Sequence, residues 1–104
     1  MHLFNLVQEG SELVFVSSDY QLSQYSVVDR RKINKHKNFK VGEVVYFVDY
    51  FQDETVPQGY DQWRVVFRDE NNVIYLGTPL MFVPLDYWME IEEYFKNRFQ
   101  QTSS

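Results

Sequence analysis

Hydrophobic and polar positions alternate in short blocks along most of this 104-residue chain, and the period changes only near its end. Residues 3–7 and 12–17 flank Gln8-Glu9-Gly10-Ser11, a hairpin-turn pattern in which Gly10 takes positive φ. Residues 20–24 read either as a short helical turn capped by Ser18-Asp19 or as strand. Residues 25–29 read as extended chain. The run 44–51 is almost unbroken in apolar and aromatic residues, as a strand covered on both faces or set in a barrel wall requires. In 63–68 the alternation is strict: Trp63, Val65 and Phe67 share one face, Arg64 and Arg68 the other. Asp69-Glu70-Asn71-Asn72 is a tight turn, 73–76 returns antiparallel, and Gly77-Thr78-Pro79 ends that strand. Residues 80–83 form a last short one.

After residue 85 the period lengthens. Trp88, Ile91, Phe95 and Phe99 recur at spacings of three and four, one stripe of a helix with Asp86 as its N-cap. Glu90, Glu92, Glu93, Lys96 and Asn97 take the wet side, with Glu92 and Lys96 correctly ordered for an i,i+4 pair. The stripe reads as core closing onto the sheet. The pattern predicts a mainly β (α+β) fold: a small pseudo-barrel of five to seven short strands with a C-terminal amphipathic helix. Residues 1–99 make one domain and 100–104 a flexible tail.

Composition narrows the chemistry. Cysteine is absent, so a disulfide framework, a thiolate zinc site and a cysteine nucleophile are excluded. Alanine is absent too, while Phe (9) and Tyr (8) are abundant beside many valines, which favours pleated surfaces over helices. No run reaches the roughly 18 apolar residues of a membrane span. Met1-His2-Leu3-Phe4-Asn5 lacks a basic n-region and a small-residue cleavage site, which predicts no secretory signal and a cytoplasmic protein.

Charge changes the picture most. The formal net charge is −5, yet six of the ten basic residues fall between Arg30 and Lys40, where no acid occurs. These are Arg30, Arg31, Lys32, Lys35, Lys37 and Lys40, read here as a basic loop leading into the strand at 44. A positive patch on an acidic body concentrates anions and orients their approach. Lys and Arg neutralise phosphates, and Tyr25, His36 and Phe39 lie close enough in sequence to offer stacking faces to unpaired bases. The competing readings are a solvated hairpin loop kept soluble by lysine and a contact with an acidic protein. His2 and His36 have no ligand spacing, so no metal or cofactor is expected. Ser, His and Asp are present without a nucleophile elbow, and Asp53-Glu54 and Glu92-Glu93 read as a loop and a wet helix face. The chain is therefore expected to be non-enzymatic.

The arrangement Tyr25-x-Val27-x-x-Arg30 followed by Asn38-Phe39-Lys40-Val41-Gly42-Glu43-x-Val45-x-Phe47 resembles the PUA-like superfamily, in particular its ASCH-type branch. The resemblance covers residues 25–50, about a quarter of the chain. In place of the Gly-Lys-Lys-x-x-Glu-x-Arg motif of typical ASCH domains, Ser23-Gln24-Tyr25 stands here. The resemblance implies a small PUA-like pseudo-barrel of about six strands, or an SH3-like one, since Lys40-Val41-Gly42-Glu43-x-Val45 opens strands in both. It also implies a leaning toward RNA binding, with Arg30, Arg31 and Lys32 on the binding surface, and membership of a group often carried by phages and plasmids.

Together these readings predict a small RNA-binding regulatory protein that holds phosphates with its six basic residues and stacks bases on neighbouring rings. The alternative is an acidic protein–protein interaction module, inhibitor- or antitoxin-like, docking on a basic partner.

Overall fold

The computed structural model describes residues 7–18 and 20–102, and the side chains of these apart from Phe95 and residues 98–102. Seven strands form one antiparallel sheet: β1 (Glu12–Phe15), β2 (Tyr20–Ser26), β3 (Arg31–Phe39), β4 (Val44–Gln52), β5 (Trp63–Arg68), β6 (Ile74–Gly77) and β7 (Phe82–Pro84). A helix, α1 (Leu85–Thr102), follows. The strand order is β3-β2-β6-β5-β4-β1-β7, so β3 and β7 are the two edges. No ladder joins those edges among the described residues, so the sheet is not closed into a barrel, and of the expected pseudo-barrel the mainly β sheet with its C-terminal helix is what forms.

It is nevertheless strongly curled. Five strand spacings separate β3 from β1, roughly 24 Å in a flat sheet, yet the rings of Phe39 and Phe15 lie 5.8 Å apart. Phe39 also meets Phe67 and Tyr75 edge-on at 5.3 and 5.1 Å, and Phe15 meets Phe82 at 5.7 Å. These rings, with Leu13, Leu22, Val45 and Val65, form the core on one face of the sheet. Edge-to-face packing of this kind contributes beyond the area it buries. Gly77 admits the ring of Phe82 into the cluster: a Cβ there would stand 2.8 Å from its edge.

Local chemistry accounts for the turns. Gly10 at φ 86° turns the chain into β1, its N–H donating to the Phe47 carbonyl at 2.7 Å. Between β5 and β6, Asn72 takes φ 63°, which Asn tolerates more readily than most residues. The buried Asp69 carboxylate accepts the N–H groups of Asn71 (2.9 Å) and Val73 (3.0 Å) and closes the same turn. On β5, Trp63, Val65 and Phe67 alternate with Arg64 and Arg68 as the pattern predicted, and Tyr50 stacks on Trp63 at 4.6 Å.

Several expectations are corrected. The segment 30–40 is not a loop: all but its ends is strand β3, paired with β2 along its length. Of the two readings open for residues 20–24, the strand is the one that forms. Pro79–Met81 is a single 3-10 turn, so the last strand begins at Phe82. The helix begins one residue before Asp86, which sits inside the first turn, where its charge favours the helix dipole. It continues through Thr102 and packs against β1 and β7. Trp88 and Ile91 are half-buried as the stripe required, whereas the side chains of Phe95 and Phe99 lie outside the described set. The expected strand at 3–7 and the cap at Asp19 also fall largely or wholly outside the described residues.

Candidate functional site

The β2–β3 hairpin positions most of the residues singled out by charge. Tyr20 pairs with Phe39 at one end and Ser26 with Arg31 at the other, but the register shifts after Ser23. His36 faces Ser23 while Ile33 faces Gln24, so Asn34 and Lys35 are extra residues in β3. An insertion of this kind bends and twists a strand pair. The rings at its two ends lie on opposite faces, as the alternation along β2 dictates: Phe39 is opposite Tyr20, five residues from Tyr25. Phe39 packs into the core on one face of the sheet, while Tyr25 stacks with Phe51 on the other face at 6.1 Å and 29°.

Where the hairpin folds over that second face it encloses a groove of about 980 Å³. Val48, Val66 and Leu76 form apolar parts of its lining and Tyr25 and Phe51 an aromatic part. Arg30, Arg31 and Lys32 line the side formed by the hairpin, and Arg64 enters from β5. Lys32 stands directly opposite Tyr25 in the ladder and therefore on the same face. A smaller depression of about 270 Å³ shares Lys32, Arg64 and Leu76. Two carboxylates, Asp49 and Asp53, also line the larger groove.

The hydrogen bonds fix this constellation in part. Arg64 donates through one Nη to the carbonyls of Asp61 (2.9 Å) and Trp63 (2.8 Å). The Asp53 carboxylate accepts the N–H of Thr55 (3.0 Å) and the Thr55 hydroxyl. These Thr55 bonds hold its pKa below the ordinary value; slight burial works against them and the charges of Arg64 and Lys32 add to them. Asp49 accepts the N–H of Tyr50 at 2.8 Å. Burial raises the Tyr25 phenol, Asp49 and Asp53 raise it further, and Arg30 pulls the other way. Arg30 itself adopts φ 54°, an unfavourable backbone region for a non-glycine residue, at the last position of the hairpin turn.

The remaining residues of the basic segment lie elsewhere. Phe39 is fully buried and offers no face to a ligand. Lys37 donates to Asp69 Oδ2 at 3.1 Å and lies 5.1 Å over the Phe39 ring, which ties it to the β5–β6 turn. Burial disfavours its charged form, but the bond to Asp69 outweighs burial and raises its pKa. Lys35 is exposed in the bulge, His36 is exposed on β3, and Lys40 is exposed past the far end of the strand. The structure thus brings together Tyr25, Arg30, Arg31 and Lys32 and does not bring Lys37, Phe39 or Lys40 to them. Sequence reasoning missed Phe51, Arg64, Asp49 and Asp53. Only Arg64 carried a signal: it is a cation on the polar face of an alternating strand.

Compared with known protein families, curated proteins and solved structures, the chain matches none. Among the described residues no group of three or more His, Asp or Glu side chains is gathered as metal ligands would be. No helix among them is long and apolar enough to cross a membrane.

Proposed function

We propose that this chain is a non-enzymatic, RNA-binding regulatory protein of the PUA-like kind, which holds single-stranded RNA in the groove at the Arg31 end of β3. One observation carries the reading. Tyr25 and Phe51 lie stacked in an open cavity lined by Arg30, Arg31, Lys32 and Arg64. Aromatic faces beside a track of cations are what unpaired nucleotides require: the rings stack on bases whatever their identity, and the cations follow the phosphates. The Arg64 fork keeps Nε and its second Nη without a hydrogen-bond partner among the described residues, so both can reach an anion. The acids exposed on α1, Glu90, Glu92 and Glu93, would repel a nucleic acid and leave the groove as its favoured approach. In this reading the protein occupies a transcript in the cytoplasm, as a phage- or plasmid-borne regulator would.

The test compares two variants for binding to a pool of short single-stranded and structured RNAs at two salt concentrations. Replacing Arg30, Arg31, Lys32 and Arg64 by Gln should abolish salt-sensitive binding. Replacing Lys35, Lys37 and Lys40 by Gln should leave most of it. Absence of binding by the folded wild type at low salt overturns the RNA reading. It would favour the alternative, an acidic interaction module docking through α1, where Tyr87, Met89 and Tyr94 are exposed among the acids.

A further inference from the structure

The groove carries two kinds of polar wall, and phosphate binding uses only one of them. Arg30, Arg31, Lys32 and Arg64 suit phosphates, but Asp49 and Asp53 line the same cavity and repel them. Both carboxylates line the same cavity as the Tyr25 ring, and their charges help to raise its phenol. Neither is neutralised by an ion pair within hydrogen-bond distance among the described residues, and each uses one oxygen, Oδ1, for local backbone or hydroxyl donors. The second oxygen of each is without a hydrogen-bond donor among the described residues. A carboxylate beside a stacking platform needs a ligand edge that offers donors.

Among the four RNA bases only guanine presents two adjacent donors on its Watson–Crick edge, the ring N1–H and the exocyclic amino group. Adenine and cytosine each pair one donor with acceptors, and uracil sets its single N–H between two carbonyls. An acceptor-only carboxylate therefore attracts guanine and repels the acceptor atoms of the others. Thr55 anchors Asp53 through two hydrogen bonds that favour its charged, acceptor-only form.

We infer that the groove selects guanine: a guanine base stacks on the Tyr25–Phe51 platform with its Watson–Crick edge toward Asp49 and Asp53, while the cations hold the flanking phosphates. This inference rests on the RNA-binding reading and specifies which base the site takes. The cavity of about 980 Å³ exceeds what one base fills, which leaves room for its sugar and a neighbouring phosphate.

The experiment titrates the protein with fluorescent uridine heptamers that carry guanine, adenine, cytosine or inosine at the central position. The central guanine should tighten binding on the order of tenfold over all-uridine, the scale of one good two-point contact to a base edge. Inosine, which lacks the amino group, should lose a large part of that gain. Asp49→Asn and Asp53→Asn keep the shape of each side chain, with folding checked by circular dichroism, and at least one should erase the preference, so that the variant binds the guanine and all-uridine heptamers alike. Equal, salt-sensitive binding of all heptamers overturns the guanine assignment and leaves the RNA reading standing. A preference that survives both Asn variants also overturns it. No binding to any heptamer or to the wider RNA pool overturns both.

Discussion

The two ends of β3 are alike in sequence and opposite in fate. Arg31 and Lys32 at one end, and Lys37 with its neighbour Phe39 at the other, belong to one basic, aromatic-flanked segment. At the first end the cations line an open groove beside Tyr25. At the second, Lys37 is bound to a buried carboxylate and Phe39 is a central ring of the core. A charge in the sequence is available to a partner only if the fold does not answer it first. Here the answering group, Asp69, lies 32 residues further along the chain. The same segment therefore anchors the hairpin with one end and presents cations with the other.

The strongest way to break the comparison is at the anchored end. Phe39→Ala removes a fully buried ring that touches Phe15, Phe67 and Tyr75, and should cost about 3–5 kcal/mol in urea denaturation. Arg31→Ala, at the exposed end, should change stability by no more than about 0.5 kcal/mol in the same assay.

Asp69→Asn comes next, at about 2 kcal/mol, because it places an amide donor against Lys37 in a buried site. Its pH signature is specific. Burial works against the Asp69 charge, but the Val73 N–H, Lys37 and the Asn71 N–H outweigh it, so the folded pKa lies below the ordinary value. The stability it contributes is then present above the unfolded value and lost as pH falls through the folded one. Wild-type thermal melts should fall in temperature below about pH 4, and Asp69→Asn should flatten that decline. Lys37 runs the other way: with its folded pKa raised, its contribution fades in alkali, and Lys37→Met should flatten the loss above about pH 10.

Arg30 sharpens the contrast from the groove side. Arg30→Gly relieves a positive φ and should gain about 0.5–1 kcal/mol of stability while weakening RNA binding. Calorimetry and a binding titration on one sample would separate the two effects. The smallest change is expected from Lys40→Gln, with the melting temperature unmoved and the affinity nearly so. A large loss of affinity there would mean that the RNA track runs the length of β3 rather than ending near the bulge.

Much of the fold was legible because each signal was local. The alternation of Trp63 to Arg68, the Asp69–Asn72 turn and the spacing of Trp88 and Ile91 each follow from residues a few positions apart. The basic segment was misread as a loop because Arg, Lys and Asn favour neither state strongly, while pairing with β2 is a tertiary fact. Half of the groove was visible as charge at 30–32 with Tyr25 nearby. The rest depends on the hairpin folding over β4 and β5, which brings Phe51 and Arg64 to residues more than twenty positions earlier. No periodicity records that contact. The two fates of the lysines were equally hidden, since Lys32 and Lys37 differ only in what the sheet sets beside them.

The bulge at Asn34 and Lys35 leaves the two faces of the hairpin unexchanged. Side chains on both sides of it keep their facing, with Lys32 beside Tyr25 and Phe39 turned into the core. A second register shift, at Val48 in β4, does the same with a single extra residue: Phe47 stays in the core and Asp49 still lines the groove. Extra residues are absorbed where they stand, as local twist, and the alternation resumes beyond them. The distance between the anchored end of β3 and its open end is therefore free to vary at this point, while the assignment of side chains to core and groove stays fixed.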